Sequence, residues 1–280
     1  MPTAAFQRVF ILGMDGAGNF VQQAHTPHLD AWLARGAYTF SAQAELPTIS
    51  AECWGSVLHG VRPGKHGLTN EKAENQPYPG DSPYPSLFRL MREQQPEAKL
   101  ASFTGWQPIN DGIIEDDPHI YKTSLPDARL VPALCKYVEQ HPDVKLLFLQ
   151  LDEPDASGHR YGYGADSPAY LDAITQCDNR IGTILAALEQ QGLVEDSLII
   201  LLTDHGGGGA DKYSHGSDHP MDRHVFWACI GSGIPRGELS QSLSITDTAA
   251  VAAYALGLSV PAEWDAQLPQ QLFSKKELLS

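Results

Sequence analysis

The stretch Leu198-Ile199-Ile200-Leu201-Leu202-Thr203-Asp204-His205-Gly206-Gly207 decides the fold. Its first six residues are apolar up to a closing threonine, with no alternation between faces. It then breaks into a carboxylate, an imidazole and two glycines. A short run of this kind suits a strand of a parallel sheet that is covered on both faces. Four more such runs stand at 9–14, 99–103, 146–151 and 225–230. Helical patterns lie between them, at 27–35, 50–59, 84–93, 127–140, 167–190 and 246–256. Thr26 is placed to cap the first, with Pro27 in its first turn, and Gly192 to stop the fifth. Strands alternating with helices are joined by crossovers. The expected fold is therefore α/β, a doubly wound, mainly parallel sheet with helices on both faces.

The chain has 280 residues, a length that fits one large domain or two small ones. No repeat or low-complexity tract divides it. The segments at 75–83 and 106–126 are rich in Pro, Asp and Asn and read as surface excursions, so residues 1–280 are expected to form a single domain. Hydrophobic residues make up 42 % of the chain, enough for a large core and too many for global disorder. With 19 Lys+Arg against 34 Asp+Glu the net charge is −15. Such a chain lacks the basic footprint that a nucleic-acid duplex requires, although a bound metal would still let it take small phosphate esters. Cys53, Cys135, Cys177 and Cys229 show no C-x-x-C spacing, so they read as buried small hydrophobes. The polar lead before residue 9 has no export signal, and no run of about 18 apolar residues occurs. The expectation is a cytoplasmic protein with no membrane partner.

In an open α/β sheet the ligand site lies beyond the carboxyl ends of the strands. Asp15 follows the run at 9–14. Asp152, Asp155 and His159 follow the run at 146–151, and Asp204 and His205 follow the run at 198–203. His215 follows a Gly-rich loop and precedes the last strand, with His219 and His224 as competitors nearby. Carboxylates and neutral imidazoles together suit a divalent transition metal: zinc, manganese or iron. Gly158 would let the chain bend so that Asp155 and His159 converge. Ser50 stands at the start of a helix, where peptide N–H groups and the helix dipole stabilise an anion. It is either a nucleophile activated by a metal or a simple helix cap. No Gly-x-Ser-x-Gly elbow surrounds any serine.

Five segments, in order, resemble the alkaline phosphatase superfamily and, within it, the type I phosphodiesterase/nucleotide pyrophosphatase branch. They are ILGMDG at 11–16, LPTISAECWGSVLHGVRPGKHGLTN at 46–70, DEPDASGHRYG at 152–162, LLTDHGGGG at 201–209 and HGSDHPMDRHVFWACIGSGI at 215–234. The resemblance implies an alkaline phosphatase-like catalytic domain with two divalent ions, usually zinc, sharing a site. Asp15, Asp204 and His205 would hold one ion together with Ser50. Asp155, His159 and His215 would hold the other, the D-x-x-x-H spacing selecting Asp155 over Asp152. Ser50 would be the nucleophile, forming a covalent phospho-enzyme, and Asn70 would donate to a phosphate oxygen. The substrate would be a small phosphate ester.

Other outcomes share this framework: a phosphonate hydrolase, a phosphomonoesterase, or a metal- or nucleotide-binding module without turnover. The missing C/S-x-P-x-R signature argues against a sulfatase. No Lys or Arg occurs from 50 to 61 to meet the extra charge of a monoester, which favours diesters. Trp54, Trp106, Tyr161 and Tyr163 would form an aromatic wall for a diester's second group.

Overall fold

The computed structural model describes residues 4–273. The described strands are β1 (Arg8–Met14), β2 (Ala37–Gln43), β3 (Lys99–Thr104), β4 (Ile120–Ser124), β5 (Val144–Leu151), β6 (Ser197–Thr203), β7 (His224–Ile230) and β8 (Gly237–Glu238). They form one sheet in the order β4-β3-β5-β1-β6-β7-β2-β8. From β4 to β6 all neighbours pair in parallel, while β7 runs antiparallel to both β6 and β2. The helices are α1 (Pro27–Leu33), α2 (Ser50–His59), α3 (Pro63–His66), α4 (Asn70–Asn75), α5 (Leu87–Gln94), α6 (Asp127–Gln140), α7 (Glu153–Tyr161), α8 (Pro168–Gln190), α9 (Pro220–Arg223) and α10 (Asp247–Ala255).

Successive residues of a strand point to opposite faces, and the core splits accordingly. Val9 and Ile11 of β1 join a layer with α2, α5 and α10. Phe10, Leu12 and Met14 join a layer with α1, α6 and α8. Both faces are thus covered, which is why these strands carry apolar residues without alternation.

The five apolar runs are strands, and the architecture is the doubly wound one expected. The sequence reading missed β2, whose burial alternates along AYTFSAQ, and the short β8. The segment at 106–126 is not a surface excursion. A π-helical turn at Ile109–Ile113 buries Ile109 and Ile113, and β4 extends the sheet beside β3. Lys122 ties this segment down by donating to the carbonyls of Asn110, Ile114 and Glu115. The helix read at 84–93 begins at Leu87, because Ser86 caps it by accepting from the Arg89 N–H. Thr26 precedes α1 but does not cap it, since its hydroxyl donates to the Val21 carbonyl. The Asp178 carboxylate of α8 takes the N–H groups of His28 and Leu29 instead. Among the described residues no helix is long and apolar enough to cross a membrane.

The register positions the functional edge. Met14 pairs with Leu151 on one side and Thr203 on the other, so β1, β5 and β6 end level. Asp15, the 152–159 segment and Asp204-His205 therefore leave the sheet side by side. The reversed direction of β7 brings the loop before it, with His215, to the same edge.

Candidate active site

Two triads of ligand-type side chains sit at this edge. In each, one donor atom per residue lies within 4.8 Å of the others: Asp155, His159 and His215 in one, and Asp15, Asp204 and His205 in the other. The His205 and His215 rings stack at 3.9 Å between centroids, so the triads adjoin. His159 Nε2 lies 3.3 Å from Asp155 Oδ2, and His205 Nε2 lies 3.4 Å from Asp15 Oδ1 and 3.3 Å from Asp204 Oδ2. The second triad is fully enclosed, whereas His159 reaches solvent.

The three imidazoles are held alike. Nδ1 of His159 faces the Tyr213 carbonyl at 2.8 Å, that of His205 the Gly206 carbonyl at 2.8 Å, and that of His215 the Thr48 carbonyl at 2.6 Å. Only an N–H bonds to a carbonyl, so each Nδ1 donates and each Nε2 is turned into the site, where it offers a lone pair when the ring is neutral. Asp15 Oδ1 and Asp204 Oδ2 are buried with no hydrogen-bond partner. Unpartnered carboxylate oxygens facing imidazole lone pairs form a donor set that fits a divalent cation.

The electrostatics differ between the two triads. Burial, reinforced by neighbouring carboxylates, raises Asp15 and Asp204 well above the usual carboxylate range. Burial lowers His205 to about 3. Burial also works to raise Asp155, but its bond with His159 and the charges of the nearby imidazoles outweigh this and hold it low. That same bond raises His159 to about 9.

Ser50 is the first residue of α2. Its Oγ lies 3.1 Å from His205 Nε2, between the helix N-terminus and the enclosed triad. It makes no side-chain cap. Asn70 opens α4, and its Oδ1 accepts from the Ala51 N–H at 2.9 Å. That bond fixes the amide so that its NH2 is free to donate beside Ser50. Asp152 is in neither triad. It receives a bond from Gln150, and burial raises it to about 6. His219 caps α9 through Nδ1 and is not part of the cluster.

Several expectations need correction. Gly158 is inside α7 and does not mark a bend. Its missing side chain makes room for the Tyr163 ring, because a Cβ there would lie 2.2 Å from that ring. Trp54 and Tyr163 are not an aromatic wall. Both are buried, the indole donating to Asp15 Oδ2 at 2.7 Å and the phenol to Asp155 Oδ1 at 2.6 Å. Tyr161 and Tyr213 are the exposed aromatics near the cluster.

Sequence reasoning missed further supports. Gln150 donates to Asp15 Oδ2 at 2.8 Å, and a lone glutamine inside an apolar strand run was a visible signal. Asp222, fully buried, accepts from the N–H groups of Gly209 and Ser217 and so ties the glycine loop to the His215 loop. The Thr48 hydroxyl accepts from the Gly216 N–H and donates to the Ser217 carbonyl.

This fold and edge define the alkaline phosphatase-like class. The family model for type I phosphodiesterase/nucleotide pyrophosphatase matches residues 9–227, and the chain belongs to that family. It is 23 % identical over 227 residues to human ectonucleotide pyrophosphatase/phosphodiesterase family member 7, a match covering 73 % of this chain and 49 % of the relative. The chain thus spans about half the length of that relative. Among solved structures, murine ectonucleotide pyrophosphatase/phosphodiesterase 5 superposes with a TM-score of 0.76 at 15 % identity, covering 95 % of this chain and all of the neighbour. An inactive variant of that murine protein, in complex with AMP, gives a TM-score of 0.73 at 13 % identity, covering 93 % and 97 % of the two chains.

Proposed function

We propose that the chain hydrolyses phosphoric esters, preferring diesters, with Ser50 as nucleophile and two divalent ions, most suitably zinc, held by the two triads. The observation that carries this reading is Ser50 Oγ at a helix N-terminus, 3.1 Å from His205 Nε2 and beside both triads. Asp15, Asp204 and His205 would hold one ion with Ser50, and Asp155, His159 and His215 the other. Bound there, the ions would supply Lewis acidity for the serine hydroxyl, the phosphoryl oxygens and the attacking water.

The rest falls to the chain's own groups. Ser50 Oγ bonds to phosphorus as the bond to the leaving oxygen breaks, and the leaving alkoxide ends protonated as the alcohol. Water then displaces Ser50 from phosphorus, releasing the monoester and a proton and restoring the hydroxyl. The phosphoryl group would lie at the N-terminus of α2, whose helix dipole favours its negative charge. The Asn70 NH2 donates to a non-bridging oxygen. The AMP bound by the murine neighbour supports a nucleotide ester as substrate.

Among the described residues no Lys or Arg is bonded to Asp15, Ser50, Asn70, Asp155, His159, Asp204, His205 or His215, so none of these contacts meets the extra charge of a monoester. Exposed Tyr161 and Tyr213 are available to a diester's second substituent. The test compares kcat/KM for bis-nitrophenyl phosphate and nitrophenyl phosphate with zinc, and again with manganese. The diester is expected to lead by at least about tenfold, the scale of one missing charge-assisted hydrogen bond. A clear lead for the monoester would reject the diesterase reading.

A further inference from the structure

The two triads are supported from behind by one aromatic donor each, and neither donor takes part in the proposed displacement steps. Trp54 is fully buried in α2, and its Nε1–H reaches Asp15 Oδ2 at 2.7 Å. Gln150, also fully buried, donates to the same oxygen at 2.8 Å. Two donors on Oδ2 leave the buried Oδ1 without a partner, turned towards His205. Tyr163 is 1 % exposed, and its hydroxyl reaches Asp155 Oδ1 at 2.6 Å, leaving Oδ2 3.3 Å from His159 Nε2.

Each ring fits because a glycine yields to it. A Cβ on Gly13 of β1 would lie 2.3 Å from the Trp54 ring, and one on Gly207 would lie 2.6 Å from the Tyr163 ring. Gly13 would otherwise carry a side chain on the face that β1 presents to α2. Both rings thus lie buried and close against glycine backbone.

Resting on the two-ion reading, we infer that Trp54 and Tyr163 are positioning residues, each dedicated to one ion. Trp54 fixes which oxygen Asp15 offers in the enclosed triad, and Tyr163 does the same for Asp155 in the outer triad. A carboxylate with one oxygen already bonded presents the other in a single direction, without the entropy cost of choosing between them. Removing such a support costs metal affinity about 10- to 100-fold. The effect should be private to each site, because no bond joins Trp54 to Asp155 or Tyr163 to Asp15.

The test uses Trp54→Phe and Tyr163→Phe in the full chain loaded with zinc; Tyr163→Phe deletes only the hydroxyl, whereas Trp54→Phe deletes the donor together with part of a fully buried ring. Stepwise chelator competition with elemental analysis reads the affinity of each ion. His205→Ala and His159→Ala assign the two release steps to their triads. Trp54→Phe is expected to weaken the enclosed ion about 10- to 100-fold and leave the outer ion within about twofold, with Tyr163→Phe giving the mirror image. Urea unfolding of the metal-free variants separates this from loss of fold. If Trp54→Phe does not fold, Gln150→Leu removes the second donor to Asp15 Oδ2 and must weaken the same ion. Where the wild type binds two ions, equal weakening of both, or of neither, would overturn this inference alone. A wild type that binds no ion would overturn the two-ion reading as well.

Discussion

Replacing Ser50 with alanine is expected to lower kcat on a chromogenic diester by at least about a thousandfold, the scale on which an enzyme loses its nucleophile. Metal content should stay at two ions per chain, because all six side chains of the triads remain. The fold should also survive. Ser50 makes no capping bond, and Gly is not introduced into α2. Thr48→Ala is the contrasting variant. Thr48 is fully buried, and its hydroxyl bonds to Gly216 and Ser217 and so steadies the loop that carries His215. Its carbonyl, which holds the His215 ring, is unchanged by the substitution. Loss of one hydroxyl at about 1 kcal/mol per bond predicts a fall of roughly tenfold, through a looser His215. Steady-state kinetics on the two variants checks both. A dead Thr48→Ala beside an active Ser50→Ala would move the nucleophile to Thr48.

Removing divalent ions should have the second large effect, on stability as well as turnover. Without a cation, two fully enclosed carboxylates are raised well above their usual range by burial and by neighbouring carboxylates. A ligand that binds only the native state adds about 4 kcal/mol when its free concentration is about a thousand times its Kd. In a chain of this size each kcal/mol moves the unfolding midpoint by about 2–4 °C. Chelation is therefore expected to lower Tm by roughly 8–16 °C per tightly held ion and to abolish diester hydrolysis. Adding zinc back should restore both. Calorimetry with and without chelator is the check, and an unchanged midpoint would mean that no ion is held in the native state.

Much of this was legible from the sequence because the sheet is buried on both faces. Runs such as 198–203 need no alternation to be read as strands, and the residues directly after each run mark the functional edge. Proximity of Asp15, Asp155, His159, Asp204 and His205 was readable for the same reason, since parallel strands that end level deliver their next residues together, whereas His215 arrives from the loop before antiparallel β7. The features that stayed hidden depend on packing between distant segments. The alternating pattern of β2 is weak because its outer residues are half-buried. β4 and the π-helical turn sit among Asp and Pro residues that mask their isoleucines. Trp54 and Tyr163 resembled substrate-binding aromatics in the sequence. Their inward orientation depends on glycines at 13, 158 and 207, whose partners no local pattern reveals. Capping of α1 by Asp178 crosses about half the chain and leaves no local trace.

In the proposed reaction Ser50 attacks phosphorus and is displaced by water in a second step. The stereochemical course of hydrolysis tests this most directly. A phosphorothioate diester of one configuration at phosphorus, hydrolysed in ¹⁸O-enriched water, reports the number of in-line displacements. Two displacements, each inverting, give overall retention, and retention is the predicted result. Inversion would mean that water attacks the substrate directly, and would contradict a phosphoryl-Ser50 intermediate.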